Sequence, residues 1–368
     1  MGLKHKPTLI MDEIRVKRNI ARMAAKARAS KVNFRPHFKT HQSAAIGEWF
    51  RDVGVKAITV SSVVMAEQFA QAGWRDITVA VPVNLLEIDR INELAGRITL
   101  HVLVDSALAV EKLISQLNNP INLWIKIDVG YHRCGLLWYA AETIIALAQT
   151  IDQNQNLTFK GLLTHAGHTY YATTAAEVRK IHRQSLERLN KLKQQLQTAG
   201  IPRCKISIGD TPGCNLAKDF TGADEIRPGN FVFHDLMQLR LGACQAEDLA
   251  LAVECPVIGK YPQRSEIVIF GGAVHLSKEY LTKADDSQVY GYLADDSADG
   301  WGAPKYDAPV ISLSQEHGIV QLPPDSLKRI EIGDTVLVLP VHACLTANLY
   351  REYLTTAGQQ ISRFNSRI

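Results

Sequence analysis

No stretch of about 18 consecutive apolar residues, the length needed to cross a membrane, occurs in the 368-residue sequence. The N-terminus also lacks the apolar core of a signal peptide, and Lys6 spoils the pattern for N-myristoylation. The formal net charge is only +4, and the basic residues are scattered. We therefore expect neither a membrane span, nor export, nor binding to nucleic acid.

The six cysteines stand singly at positions 134, 204, 214, 244, 255 and 344. Their number is even, but without an export signal reduced thiols and a cytoplasmic location are favoured over a disulfide framework. Hydrophobic residues make up 46% of the chain, which is ordinary for a globular protein with a large core. The length accommodates two domains, or one barrel with an appended domain.

Short β-rich runs alternate with helical stretches over roughly the first 230 residues. The eight runs end near residues 34, 60, 81, 104, 127, 163, 208 and 226. Strands that alternate with helices form parallel βαβ units, and eight such units predict an α/β fold of the (β/α)8 TIM-barrel type. An open doubly wound sheet is the competing architecture, but no Gly-x-Gly-x-x-Gly pattern follows the first strand.

The sequence pattern changes after about residue 238. Beyond it, β-like runs are separated by Gly, Pro, Asp and Ser turns, and these runs lie at 251–253, 266–270, 309–313, 318–322 and 335–339. We therefore predict a barrel domain over residues 1–238 and a mainly antiparallel β domain over residues 239–368.

A lysine stands at the end of the first predicted strand, in the run RPHFKTH at 35–41. Its aromatic and proline neighbours can desolvate Lys39 and favour the uncharged amine, the form that makes a Schiff base with a carbonyl cofactor. The alternative is a basic surface turn or a small nucleic-acid patch, because Arg35, His37 and His41 are close by in sequence.

Polar residues follow other strands at the same end of the predicted barrel, where barrel enzymes carry their active sites. Arg133 lies in the glycine-containing loop 128–135, and two histidines, His165 and His168, lie in the loop 164–170. Either histidine taken alone could be a hydrogen-bonded core residue. Their shared position at one end of the barrel favours a functional role.

The loops after the seventh and eighth predicted strands are where barrels commonly bind phosphate. Thr211, Gly229 and Asn230 in these loops offer a hydroxyl group and backbone N–H donors. The alternative for the run at 210–213 is a plain turn.

Late in the second predicted domain, His342 and Cys344 stand two residues apart. On a strand such residues face the same side, so an imidazole and a thiolate could bind one ion, and both are good zinc ligands. Two ligands leave a site incomplete unless water, substrate or a third residue completes it. The run QEHG at 315–318 is a candidate neighbour, with a turn as the alternative.

The run at 35–41 resembles the cofactor-lysine motif of the D-serine dehydratase and D-threonine aldolase family. Members of that family are fold-type III pyridoxal-phosphate enzymes related to alanine racemase. The likeness covers nearly the whole chain and, in the family's order, includes the segments at 128–135, 165–168, 210–212, 225–230, 316–318 and 340–344. It implies an alanine-racemase-type barrel followed by a β domain, in agreement with the strand count.

The resemblance also implies roles for individual residues. Lys39 would form the Schiff base with pyridoxal 5′-phosphate, and His342 and Cys344 would bind zinc. D-Threonine aldolases carry an aspartate in place of the cysteine. The expected cofactor-binding residues besides the lysine are Arg133, His165, Tyr170, Thr211, Arg227, Gly229 and Asn230.

Two positions depart from the family pattern. Thr169 and Asp210 stand where serine is frequent in the family, which leaves the fine substrate preference open.

The function that these features imply is that of a zinc- and pyridoxal-phosphate-dependent D-amino-acid lyase. The expected reaction converts D-serine to pyruvate and ammonia, with Lys39 as the base at Cα and the metal polarising the β-hydroxyl group. The alternatives are retro-aldol cleavage of D-threonine or another β-hydroxy D-amino acid, an amino-acid racemase, and a non-catalytic pyridoxal-phosphate-binding protein. The resemblance further implies a homodimer.

Overall fold

The computed structural model describes residues 5–297 and 300–364, which fold into two compact units. Of the described residues, the barrel unit comprises Arg22–Gly229, and the β unit comprises residues 5–21 together with residues 230–297 and 300–364. The N-terminal segment belongs to the β unit because its strand β1 (Thr8–Met11) pairs antiparallel with residues 251–254. The domain boundary at residue 238 stays a prediction. The two compact units divide the chain differently, since the residues before Arg22 belong to the β unit and the second division falls between Gly229 and Asn230.

Eight parallel strands build the barrel unit, and a ninth short strand pairs beside one of them. In chain order they are β2 (Asn33–Phe34), β3 (Ile58–Val60), β4 (Asp76–Pro82), β5 (Thr99–Val104), β6 (Ile121–Asp128) with the short β7 (Leu136–Leu137), β8 (Leu157–Leu163), β9 (Lys205–Ile208) and β10 (Glu225–Ile226). Their spatial order is β2-β10-β9-β8-β6-β5-β4-β3, and a parallel bridge between His37 and Thr59 joins the two ends of this order. The predicted α/β barrel is thus confirmed.

Helices connect the strands, and most begin at a polar residue that follows a strand. The helices are α1 (Glu13–Ala29), α2 (Ala44–Asp52), α3 (Val63–Gln71), α4 (Ile88–Ala95), α5 (Ala107–Gln116), α6 (Ala141–Asp152), α7 (Ala175–Thr198) and α8 (Thr211–Leu216). Ser62, Ser106, Thr174 and Asp210 each accept a backbone N–H bond as N-caps of α3, α5, α7 and α8. These caps fix the point at which each strand gives way to its helix.

A charged network lies inside the barrel, where β4 and β10 begin. The buried Arg35 donates from Nε to Glu225 Oε2 at 2.7 Å and from Nη1 to Asp76 Oδ1 at 2.6 Å. Burial alone would raise the pKa of Asp76, but hydrogen bonds from His101 and Arg35 hold that pKa well below its usual range. Removing Arg35 would leave the buried Glu225 carboxylate without its cationic partner, and removing Glu225 or Asp76 would leave Arg35 with one carboxylate instead of two.

The β unit is a mainly antiparallel sheet, as predicted. Its further strands are β11 (Leu251–Tyr261), β12 (Glu266–Phe270), β13 (Leu281–Thr282), β14 (Gln288–Val289), β15 (Gly291–Ala294), β16 (Asp296–Ser297), β17 (Gly300–Trp301), β18 (Val310–Leu313), β19 (His317–Gln321), β20 (Thr335–Pro340), β21 (Glu352–Thr355) and β22 (Gln360–Ser362). Four short helices interrupt them: α9 (Leu236–Arg240), α10 (Ala273–Leu276), α11 (Pro324–Lys328) and α12 (Ala343–Ala347).

The long strand β11 organises this sheet, because it pairs with β1, β12 and β20. Side chains from β1, β11, β15 and β20 form one apolar core that includes Ile10, Ala252, Tyr292 and Leu339. The parallel pairing of β1 with β21 was not predicted, since the sequence analysis assigned no strand before residue 32. Among the described residues, no helix is both long and apolar enough to span a membrane.

Candidate active site

The candidate cofactor lysine lies in the turn after β2, and hydrogen bonds hold the backbone of that turn in place. The Lys39 backbone N–H donates to His37 Nδ1 at 3.3 Å, and Gln42 Nε2 donates to the Lys39 carbonyl oxygen at 3.0 Å. The His37 backbone N–H donates to Pro228 O at 2.9 Å, which ties the turn to the loop after β10. The turn therefore stands at the carboxyl ends of two neighbouring strands.

The expectation that aromatic neighbours desolvate Lys39 is wrong for this chain, because the Lys39 side chain is exposed. Phe38 instead points away into the core, where its ring packs against Phe50, Phe69 and Trp74. The neighbouring aromatic residue thus anchors the turn rather than covering the amine.

Positively charged groups, the lysine among them, lie near His37. The pKa of His37 lies well below its usual value, first because the ring is buried and then because Lys39, Arg227 and Arg133 act on it electrostatically. Such a concentration of positive charge suits an anionic ligand, and a phosphate ester is one. The predicted site residues Lys39, Arg133 and Arg227 are thus brought together.

His165 is a neutral imidazole in this group. Burial lowers its pKa well below the usual value, and the charges of Lys39, Arg133 and Lys126 lower it further. Its Nδ1 lies 2.6 Å from the carbonyl oxygen of Gly209, and since a carbonyl only accepts, the proton is on Nδ1. The ring is therefore held in one tautomer at the end of β8.

Lys126 is a functional candidate that the sequence analysis missed. It lies on β6 with only 4% of its surface exposed, and burial lowers its pKa to about 8, helped by Arg227 and Arg133. Its strand appears in the sequence as an apolar run, so the lysine was counted as part of a strand and not as a site residue. A signal was present, since a lysine within a strand that is buried on both faces is unusual.

Hydrogen bonds inside the barrel hold the guanidinium group of Arg227 in place. Its Nε donates to Ser207 Oγ at 2.7 Å and its Nη2 donates to the carbonyl oxygen of Thr164. Ser207 in turn donates to Glu225 Oε1 at 2.7 Å, which connects Arg227 to the charged network around Arg35. Burial lowers the pKa of Arg227 to about 10, so the guanidinium remains charged at neutral pH.

The segment after β9 contains a buried hydroxyl group that makes no hydrogen bond to the described residues. The buried Thr211 hydroxyl has no hydrogen-bond partner among the described residues. Beside it, Asp210 Oδ1 accepts the Gly213 backbone N–H at 2.6 Å and the Thr169 hydroxyl at 2.8 Å. The two positions that depart from the family pattern, 169 and 210, therefore contact each other.

Gly229 and Tyr170 complete the set in the barrel unit. A Cβ atom at Gly229 would lie 2.9 Å from His37 O and 3.0 Å from Thr40 Oγ1, so only glycine allows this loop to approach the lysine turn so closely. The Tyr170 ring lies 6.5 Å from that of His165. Lys39, Arg133, His165, Tyr170, Arg227 and Gly229 therefore lie in connected loops at one end of the barrel.

Asn230 and the candidate metal ligands belong to the β unit. Asn230 Nδ2 donates to Asp235 Oδ2 at 2.7 Å, and its own Oδ1 has no partner among the described residues. The same Asp235 oxygen accepts the backbone N–H of Ala343 at 2.9 Å. One carboxylate thus contacts both a predicted phosphate residue and the residue between the two predicted metal ligands.

The side chains of His342 and Cys344 contact each other through a hydrogen bond. Burial lowers the pKa of His342, but its interactions with Cys344, Asp235 and Glu279 outweigh burial and raise the pKa to about 9. An imidazole beside a thiol is the donor chemistry that zinc prefers. This nitrogen–sulfur pair fits a metal ion that takes its other ligands from water or substrate.

The structural reason given for this pair was nevertheless wrong. The strand β20 ends at Pro340, His342 is the N-cap of α12, and Cys344 lies within that helix. Proline cannot donate to a sheet ladder, and the chain turns into the helix instead. The run at 315–318 does not complete the site, since no cluster of three or more His, Cys, Asp and Glu side chains suited to a metal occurs within residues 5–297 and 300–364.

The residues present also fit pyridoxal phosphate. The exposed Lys39 amine is available to the aldehyde of the cofactor, and the buried, unpaired Thr211 hydroxyl can donate to the cofactor's phosphate group. The guanidinium group of Arg227 supplies positive charge at the same end of the barrel. These three features are the recognition groups that such a cofactor needs.

Two family models match the chain in tandem. The first, described as "Alanine racemase, N-terminal domain", covers residues 11–236, and the second, described as "Putative serine dehydratase domain", covers residues 250–356.

Curated relatives match over nearly the full length. A D-threo-3-hydroxyaspartate dehydratase of Delftia sp. (strain HT23) is 31% identical, with 96% of this chain and 94% of that protein covered. A D-serine dehydratase of Dictyostelium discoideum is 28% identical, with 94% and 91% covered. A D-threonine aldolase of Arthrobacter sp. is 24% identical, with 94% and 87% covered.

The solved structure of the Delftia dehydratase superposes with a TM-score of 0.90 at 30% identity, covering 97% of both chains. Two variants of that enzyme have also been solved. In one a histidine is replaced by alanine, and in the other, a metal-free form, the cysteine two positions later is replaced. The spacing of that pair is the spacing of His342 and Cys344.

Proposed function

The chain belongs to the alanine-racemase-like family of pyridoxal-phosphate-dependent lyases, and we propose that it is a metal-dependent dehydratase of β-hydroxy D-amino acids. D-Serine is the substrate that we propose, with pyruvate and ammonia as products, and D-threo-3-hydroxyaspartate is the closest competitor. The observation that carries the proposal is the contact between the His342 and Cys344 side chains, a zinc-type donor pair.

We assign the cofactor residues as follows. Lys39 holds the aldehyde of pyridoxal phosphate, and Thr211, Gly229, Asn230 and Tyr170 hold its phosphate group. The unpaired hydroxyl of Thr211 supports this assignment. The remaining assigned residues lie beside the ring, and they are Arg133, His165 and Arg227.

The chemistry follows from what these residues can do. When bound, pyridoxal phosphate withdraws electrons from Cα and the metal ion polarises the β-hydroxyl group. The Lys39 amine takes the Cα proton, and because it is a single base on one face, it selects one enantiomer. His37 and His165 stay neutral because their pKa values lie well below the usual value, so neither adds a competing acid near the lysine.

The second candidate function is aldolase chemistry, which the Arthrobacter relative represents. In that reaction the hydroxyl proton is removed and the Cα–Cβ bond breaks. Aldolases of the family carry an aspartate where Cys344 stands, so the cysteine favours dehydration. A racemase needs a second base on the opposite face of the substrate.

One experiment separates these reactions. The protein, supplied with pyridoxal phosphate and zinc, is incubated in parallel with D-serine, D-threo-3-hydroxyaspartate and D-threonine, and keto acid, glycine, aldehyde and L-serine are measured. Pyruvate from D-serine supports the proposal, and oxaloacetate as the main product assigns the competitor substrate. Glycine plus aldehyde without keto acid would overturn it in favour of the aldolase, and L-serine would indicate a racemase.

Two variants test the assigned lysine and the assigned metal ligand. Lys39→Ala should abolish the visible absorption band of the bound cofactor. Cys344→Ala should remove the recovery of activity that zinc produces after chelation. Retention of the band in the first variant would exclude Lys39 as the cofactor lysine.

We also propose that the protein is a homodimer, as the family resemblance implies, and that it is cytoplasmic. The six free thiols support a reducing compartment. Sedimentation equilibrium at several concentrations tests the dimer, and cell fractionation tests the location.

A further inference from the structure

Asp235 has a place in the fold that its role as a helix cap does not explain. It is the N-cap of α9, where Oδ1 accepts the Gln238 backbone N–H at 3.0 Å. That cap uses one oxygen only. The other oxygen, Oδ2, accepts from Asn230 Nδ2 at 2.7 Å and from the Ala343 backbone N–H at 2.9 Å.

Only a carboxylate serves all three donors at once. The side chain is 2% exposed, so water cannot replace a lost contact, and an ionised carboxylate is purely an acceptor with two oxygens. A serine could still cap α9, but it has no second oxygen. An asparagine would turn an amide N–H₂ group toward one set of donors.

The position of the third donor is what gives the contact a functional meaning. Ala343 separates His342 from Cys344, and its N–H is the peptide group directly between the two predicted ligands. Holding this peptide group limits rotation on either side and so fixes the distance between the imidazole and the thiol. Groups that orient metal ligands in this way contribute strongly to metal affinity.

We propose that Asp235 is a positioning residue that couples the cofactor phosphate, through Asn230, to the metal ion bound by His342 and Cys344. The inference rests on the proposed function, which assigns Asn230 to the phosphate and the pair to the metal. A phosphate that orders Asn230 also orders Asp235 and thereby the peptide group of Ala343. Zinc should therefore strengthen retention of pyridoxal phosphate, and by reciprocity the cofactor should strengthen zinc binding.

The test uses the full-length holoprotein and two measurements. Zinc affinity is measured by competition with a chromophoric chelator, and retention of pyridoxal phosphate is measured from its absorption band after dialysis with and without zinc. Asp235→Ser, which keeps the helix cap, should weaken zinc binding about 10- to 100-fold. It should also abolish the dependence of cofactor retention on zinc.

Asp235→Asn serves as the second variant, because it preserves the size of the side chain and should give the same result. Asp248→Asn is the matched control. Asp248 is a buried carboxylate of the same unit whose contacts include the Gln245 backbone N–H at 3.0 Å and Arg18 Nη2 at 3.5 Å. Its substitution can lower stability but should leave zinc affinity and the coupling unchanged.

The outcomes separate the inference from the proposed function. Wild-type zinc affinity in both Asp235 variants would overturn the positioning role. Cofactor retention that ignores zinc in the wild type would overturn the coupling. Zinc affinity that survives Cys344→Ala would instead overturn the metal site itself and with it the proposed function.

Discussion

Replacing Asp210 with asparagine is expected to change how stability depends on pH. The Asp210 carboxyl group is 5% exposed, and burial raises its pKa from 3.8 to about 6. The Gly213 N–H, the Thr169 hydroxyl and Arg227 oppose this rise without cancelling it. Asparagine has nearly the same shape and can accept both hydrogen bonds through its single oxygen, but it does not titrate.

The sign of the effect follows from the raised pKa. The folded state holds the Asp210 proton more tightly than the unfolded state, so the stabilisation is complete below pH 3.8 and is lost as pH rises through about 6. One pKa unit corresponds to about 1.4 kcal/mol, so the full effect is about 3 kcal/mol. Between pH 5 and pH 7.5 the wild type should lose about 1.4 kcal/mol relative to Asp210→Asn.

The measurement is urea unfolding of both proteins, freed of cofactor, over this pH range. The control is Asp219→Asn, at an exposed carboxyl group whose pKa is lowered by hydrogen bonds from the Thr221 backbone and side chain. Its difference from the wild type should be flat between pH 5 and pH 7.5, since that group titrates below the range. A flat difference for Asp210→Asn as well would refute the reasoning, because the carboxyl group would then be ionised throughout.

Three further substitutions test other parts of the structure. Glu225→Gln should lower the free energy of unfolding measured in urea by about 3 kcal/mol, because it removes one of the two carboxylates that pair with the buried Arg35 and leaves Asp76 as the other. Thr211→Val should weaken pyridoxal-phosphate binding about tenfold or more in an absorbance titration, and equal affinity would exclude its hydroxyl from the phosphate site. Gly161→Ala should lower stability in urea unfolding by about 2 kcal/mol or more, because a Cβ at this φ of 143° would lie 1.9 Å from Lys205 O.

Much of the fold could be predicted because its signals are local. Most barrel strands are short apolar runs, and the eight predicted runs end within one residue of the ends of β2 to β6 and of β8 to β10; the two-residue β7 was not predicted. The strand β1 was missed for the opposite reason. Its four residues precede the capping Asp12 of α1 and become a strand only through pairing with β11, which is more than 200 residues away.

The site was predictable to the extent that its residues stand at strand ends. Lys39, Arg133, Arg227 and Gly229 were found in this way, because the carboxyl ends of barrel strands meet at one face. Lys126 could not be found by that rule, since it lies inside a strand and its lowered pKa arises from charges on other strands. Asp235 could not be found either, because its contact with Ala343 joins residues 108 positions apart.

The two departures from the family pattern are best understood as one. Taken from the sequence, Thr169 and Asp210 are separate substitutions at positions where serine is frequent, and each leaves substrate preference open. In the fold the Thr169 hydroxyl donates to Asp210 Oδ1 at 2.8 Å, and the same oxygen caps α8 through the Gly213 N–H. An aspartate at 210 needs a donor to offset its burial, and the threonine supplies it. The pair is therefore explained by its own hydrogen bond and by the helix that presents Thr211, rather than by contact with a particular substrate.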